Sequence, residues 1–220
     1  MGLELDRRQL LRLGLAAAAA WQLEPWAVGA LAAPTDLPGP AAVTATLEAF
    51  ADTVIPGAKR SKADRAIAGA ARGPGAVQAG AVDLLSFPAV GLGPGLPALA
   101  GALNAKATAY CAKNGIVPDP TVPPFVALDF AHRTRLAVEL CDFAQPDYLV
   151  FYALAALAFI AFHTAGHLHT PDAVRHGHPG LKAIGFPHPD PDGLWRFPHY
   201  SYKRRVAAPH PRTTRTGNPA

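Results

Sequence analysis

Residues 148–162, "YLVFYALAALAFIAF", contain no charged side chain, no glycine and no proline. A helix that is apolar around its whole circumference has to be buried, either in protein or in lipid. A membrane span takes about 20 strongly apolar residues. This shorter run is therefore expected as the central helix of a bundle, with no stable membrane span. Such a helix needs others around it, and the preceding sequence supplies them. Leu47, Phe50, Ala51, Val54 and Ile55 fall on one helical stripe that Pro56-Gly57 stops. Pro74 suits a first helical turn, and Val77, Ala81, Leu84 and Leu85 make a second stripe. Residues 99–114 read as a third helix ended by Gly115. Residues 129–143 read as a fourth, with Leu136, Leu140 and Phe143 on one side. Gln145-Pro146-Asp147 then opens the apolar fifth.

Between these segments the chain is heavily punctuated, with 20 glycines and 23 prolines in 220 residues. Loops are expected over residues 59–73, at "VGLGPGLP" and at "VPDPTVPP". No segment alternates in the way a large sheet requires. The fold class is thus all-α: a small irregular helical bundle with a central buried apolar helix and a long Pro/Gly/His-rich C-terminal extension. The expected organisation is a leader over 1–32, a linker over 33–43, a helical domain over 44–185 and an extended tail over 186–220. A short helix near residues 172–176 fits the start of the Pro-rich region.

The net charge is +4, with basic residues scattered at the two ends, among them Arg12, Lys203, Arg205 and Arg215. No basic groove interleaved with aromatics is apparent, so nucleic acid is not an expected partner. Nucleophile-elbow, phosphate-loop, dinucleotide and haem-attachment motifs are absent from the sequence. The chain has no evident catalytic kit and no cofactor motif of its own.

Three groups of residues remain as candidates. His163 and His167 are four apart, on one face if the helix continues, and His169 follows. They are half of a zinc-type ligand set, or else a polar cap at the helix C-terminus, where the dipole favours them. Cys111 and Cys141 are the only cysteines. They form one disulfide between neighbouring helices or remain two buried thiols. Trp195, Phe197, Tyr200 and Tyr202 cluster with Arg196 and Arg204. That composition suits either a partner contact or a tail that wraps its own bundle.

The N-terminus carries "DRRQLLR", residues 6–12. It resembles the twin-arginine export motif, with Arg7 and Arg8 as the arginine pair, Asp6 in place of the usual Ser or Thr and Leu10 in place of the frequent Phe. The weakly apolar stretch behind it and Ala30-Leu31-Ala32 suit a leader cleaved after Ala32. An uncleaved anchor and a cytoplasmic amphipathic helix are the alternatives. The resemblance implies passage through the twin-arginine translocase as a folded protein, and an exported location (periplasmic, cell-surface or extracellular).

Behind the leader, "LEAFADTVIPG" and "GPGAVQAGAVDLL" resemble the small-subunit family typified by gluconate 2-dehydrogenase subunit 3. The matching positions are Asp52, Thr53, Val54, Ile55 and Pro56, then Pro74, Gly75 and Ala76. The resemblance covers roughly the first 90 residues. It implies a non-catalytic accessory subunit that binds, stabilises and helps export a flavin-dependent alcohol or sugar dehydrogenase or oxidase. FAD would sit in that large subunit and no cofactor in this chain. The competing expectations are an exported metal-binding protein or metalloenzyme using the three histidines, and a stand-alone secreted structural protein.

Overall fold

A computed structural model describes residues 37–189. The chain divides into two compact units, Met1–Phe186 and Pro187–Ala220. Every helix described lies in the first. Among the described residues there are eight α-helices, two short 3-10 turns and no strand, so the molecule is all-α as the punctuated helical pattern requires.

Helix α1, Pro40–Val54, begins within the expected linker, with Pro40 in the first turn where its missing N–H costs nothing. Helix α2 is Ala81–Ser86, α3 Leu96–Asn114, α4 Pro124–Ala127, α5 Phe130–Leu140 and α6 Tyr148–Thr164. Two short helices follow, α7 at Thr170–Arg175 and α8 at Pro179–Ala183. Helix α3 ends at Gly115, whose φ of 64° is the left-handed conformation expected of a closing glycine. Asp129 caps α5, its side chain accepting from the His132 N–H.

The second helix departs from expectation. Residues 74–80 are a series of turns, and Gly80 at φ 78° separates them from α2. The turns are tied to the end of α1. The Ala76 N–H donates to the Ile55 carbonyl at 3.0 Å, and Ala58 N–H to Gly73 O at 2.8 Å. Gly57 and Gly75 meet backbone to backbone: a Cβ on Gly57 would fall 2.6 Å from the Gly75 nitrogen. The stretches "DTVIP" and "PGA" are thereby one structural unit.

Two buried charges hold this irregular region. Asp52, 1% exposed on α1, accepts from Gly57 N–H at 3.0 Å and from Ala68 N–H at 2.8 Å. Arg133, 2% exposed on α5, donates to four backbone carbonyls: Leu128, Ala66, Arg65 and Val126, at 2.6–2.9 Å. Burial pushes the Arg133 guanidinium below its ordinary value, while Asp52 and Asp129 oppose that. Asn104 on α3 completes the polar framework, contacting Thr46 of α1 and accepting from Phe125 N–H of α4.

The helix at the centre is α1, which packs against α2, α3, α4, α5 and α6. Its Leu47, Phe50 and Ala51 are buried as the stripe predicts. The apolar fifth segment of the sequence is α6, which contributes Phe151 and Leu154 to the same core. Helix α6 packs on α1, α2, α5 and α8, burying Phe151, Leu154, Ala158, Ala161 and Phe162. Val150, Ala155 and Leu157 are half-buried against the core, while Leu149, Tyr152, Phe159 and Ile160 are exposed. Among the described residues no helix is long and apolar enough to cross a membrane.

Replacing Arg133 with Met should lower the unfolding free energy by about 3 kcal/mol or more, because four buried carbonyls lose their donor together. Arg133→Lys should recover little of this, since one ammonium cannot span that fan of acceptors. Urea denaturation of the three proteins measures both effects.

Candidate functional site

The uncovered face of α6 is the feature that the bundle itself does not explain. Leu149 is 57% exposed, Tyr152 51%, Phe159 53% and Ile160 40%. With half-buried Ala156 and His163, the positions 149, 152, 156, 159 and 163 repeat at three and four residues. That is the spacing of a helix–helix seam. The stripe runs about 21 Å at 1.5 Å per residue. Ala153 and Ala156 make its middle shallow, and larger side chains stand at both ends. Phe143, expected inside the bundle, is in a turn and exposed. Its ring lies 5.1 Å from Tyr148 and 6.4 Å from Tyr152, which extends the apolar surface past the helix start. No Asp, Glu, Lys or Arg stands on α6. At its start Lys106 pairs with Asp147 at 2.7 Å. A continuous apolar patch of this kind marks an interaction site more often than chance exposure.

The histidines do not assemble a metal centre. The helix ends at Thr164, and Ala165 adopts φ 51°, so His163 and His167 do not share a helical face. His163 stacks on Phe159 with ring centroids 3.8 Å apart, its Nδ1 3.0 Å from the Phe159 carbonyl. His169 Nδ1 lies 3.2 Å from Asp172. His167 turns inward to Gly80 and His178. Among the described residues no group of three His, Cys, Asp or Glu side chains could hold a metal. The spacing argument failed because it needed the helix to continue through Ala165-Gly166.

Cys111 and Cys141 are both free, one buried in α3 and one half-buried just after α5. Burial pushes both thiols up, away from the reactive thiolate. Arg7, Arg8, Trp195, Phe197, Tyr200 and Tyr202 lie outside the described residues.

Two open clefts flank Arg65. One, of about 350 Å³, is lined by Glu48, Arg60 and Asp64. Arg60 holds Glu48 through two contacts of 2.6 Å and Asp64 through one of 2.7 Å. Burial alone would raise the Asp64 carboxyl, but hydrogen bonds from Arg60 and the Ile67 N–H bring it below the usual range. The second, of about 300 Å³, includes Lys59, Asp129 and the fully engaged Arg133. In both, most of the charges are already tied to each other or to the backbone.

A family of unknown function, DUF5987, matches residues 41–220. The chain belongs to that family. No curated protein and no solved structure matches it. The family match begins one residue inside α1 and runs through the bundle, including the α6 face.

The α6 stripe was readable at three–four spacing, but an all-apolar helix hides which of its faces is covered. His178, which caps α8, was missed because "HPG" reads as a break. Since the stripe packs on little of the bundle, Tyr152→Gln and Ile160→Gln should each change the unfolding free energy by less than about 1 kcal/mol. Leu154→Ala on the opposite face should cost about 2–5 kcal/mol. Thermal or urea unfolding of the three variants distinguishes the two faces.

Proposed function

We propose that this DUF5987 protein is a non-catalytic accessory subunit of an exported flavin-dependent alcohol or sugar oxidoreductase. The α6 stripe binds the large subunit, which carries FAD. The observation that carries the reading is the stripe itself: a rigid, uncharged apolar face on a bundle whose buried charges are all engaged in holding its own backbone. A catalytic subunit needs groups converging on an open site; a binding subunit needs a preorganised surface. The resemblance in Asp52–Pro56 and Pro74–Ala76 favours the same role, and the hydrogen bond between Ala76 and Ile55 gives those motif residues a common structural purpose. Arg7 and Arg8 supply the export signal for the assembled pair, which crosses to the outside already folded.

The test is co-expression with flavin-dependent oxidoreductases of the same organism that lack an export signal of their own. One of them should co-purify with this chain, and Phe159→Asp or Ile160→Asp should weaken the complex about tenfold to a hundredfold while leaving the free bundle folded. Replacing Arg7 and Arg8 with Lys should leave both chains inside the cell. Unchanged export of the flavoprotein in that variant would end the escort role. Self-association of this chain through α6 without any flavoprotein would instead assign the stripe to a homodimer.

A further inference from the structure

We infer that residues 165–186 form a latch, seated on α6 through Gly180 and held to the turn before α2 by the neutral His178 and His167 rings, that opens when these histidines are protonated. The inference is independent of the partner proposed above.

His178 is buried at the start of α8, and both ring nitrogens face backbone. The Leu181 N–H donates to Nδ1 at 3.3 Å. Nε2 lies 3.0 Å from the Ala79 carbonyl oxygen. An amide N–H only donates, so Nδ1 must be bare. A carbonyl only accepts, so Nε2 must carry the proton. This pairing fits the neutral ring alone. A proton added at Nδ1 sets two donors against each other, removes the α8 cap and places a charge in a buried site.

His167 reinforces the requirement. Its ring meets that of His178 edge-on, with centroids 6.2 Å apart. It rests against Gly80, where a Cβ would fall 2.6 Å from Nε2. Its Nδ1 is buried without a hydrogen-bond partner. Burial pushes the His167 ring below its ordinary value; Asp83 opposes this, and a charged His178 adds to it. The surrounding charges offer little rescue. From α2 the carboxylate near His167 is Asp83. On α7, Asp172 is already held by His169 and Arg175, and His176 is exposed. His163 of α6 turns to Phe159, and Lys182 of α8 is a further cation. One carboxylate faces a pair of rings, so double protonation leaves net positive charge in the joint.

What the joint secures is a close contact. Helix α8 packs on α6, and Gly180 sits so tightly against the Phe162 carbonyl that no side chain fits there. Leu181 of α8 and Val174 of α7 are both buried. For His167 the sign is set by its lowered value. The unfolded ring gains its proton near pH 6.5 while the folded one resists. The unfolded state therefore binds more protons as the pH falls, so this contribution is full above that pH and lost below it.

Hydrogen exchange of the full chain, corrected for intrinsic rates, reads the latch directly. Between about pH 7.5 and about pH 5, exchange over residues 170–186 should rise at least about tenfold, while α3 stays protected. His178→Asn keeps a capping acceptor that does not titrate, and His167→Gln keeps a polar side chain without the charge. Loss of the pH response in either variant supports the latch. A wild-type response that is absent, or that is shared equally by α3, overturns it. So does a full response retained in both variants.

Discussion

The guanidinium of Arg133 is the fixed point of this bundle. A helical protein with a loop as long as residues 55–80 must satisfy that loop's backbone away from water, where helix ladders do not reach. Arg133 takes the carbonyls of Arg65 and Ala66 together with those of Val126 and Leu128, joining the loop to α4 and to the turn before α5. Asp52 works from the other side, accepting amides from Gly57 and Ala68. One residue collects carbonyls and the other collects N–H groups, so the two charges attract across the loop without direct pairing. Burying either without its fan of partners would be costly. The irregular segment and the two charges therefore depend on each other.

This framework explains why α1 is central. It supplies Asp52 to the loop, Thr46 to Asn104 and an apolar stripe to five other helices. Helix α6 lies beside it and closes one side of the core. Helices α2, α5 and α8 cover parts of α6 from different directions, and the short α8 reaches only its C-terminal end. The surface left between them is what the bundle is too small to cover.

Helix existence and type were legible because periodicity and punctuation are local. Gly115 closes α3 where a left-handed residue was required, and Asp129 starts α5 where a cap was available. Leu84 and Leu85 are buried as their stripe implies, yet the helix around them is short, because in the turns at 74–80 the Ala76 N–H goes to the Ile55 carbonyl and the Gly75 N–H to the Gln78 side chain instead. That choice is tertiary and has no local signature. The same holds for α6. Hydropathy shows that Phe151 and Phe159 both disfavour water but not which of them finds a neighbour. The histidine pattern misled for a third reason: spacing of four carries geometric meaning only while the helix persists, and Ala165 ends it.

An apolar face without charges has to select its partner by shape. Arginine and lysine rims steer and discriminate by sign; α6 has none along its stripe. Its discrimination lies in the profile of the surface. The floor at Ala153 and Ala156 admits a closely approaching backbone or a large side chain, between Tyr152 on one side and Phe159 with its stacked His163 on the other. Two of its large residues have aromatic neighbours on the same surface: Phe143 lies against Tyr152, and His163 stacks on Phe159. Preorganised side chains lose little conformational freedom on binding. The rings that leave α6 unfinished as a core helix are thus the ones that the proposed docking would use.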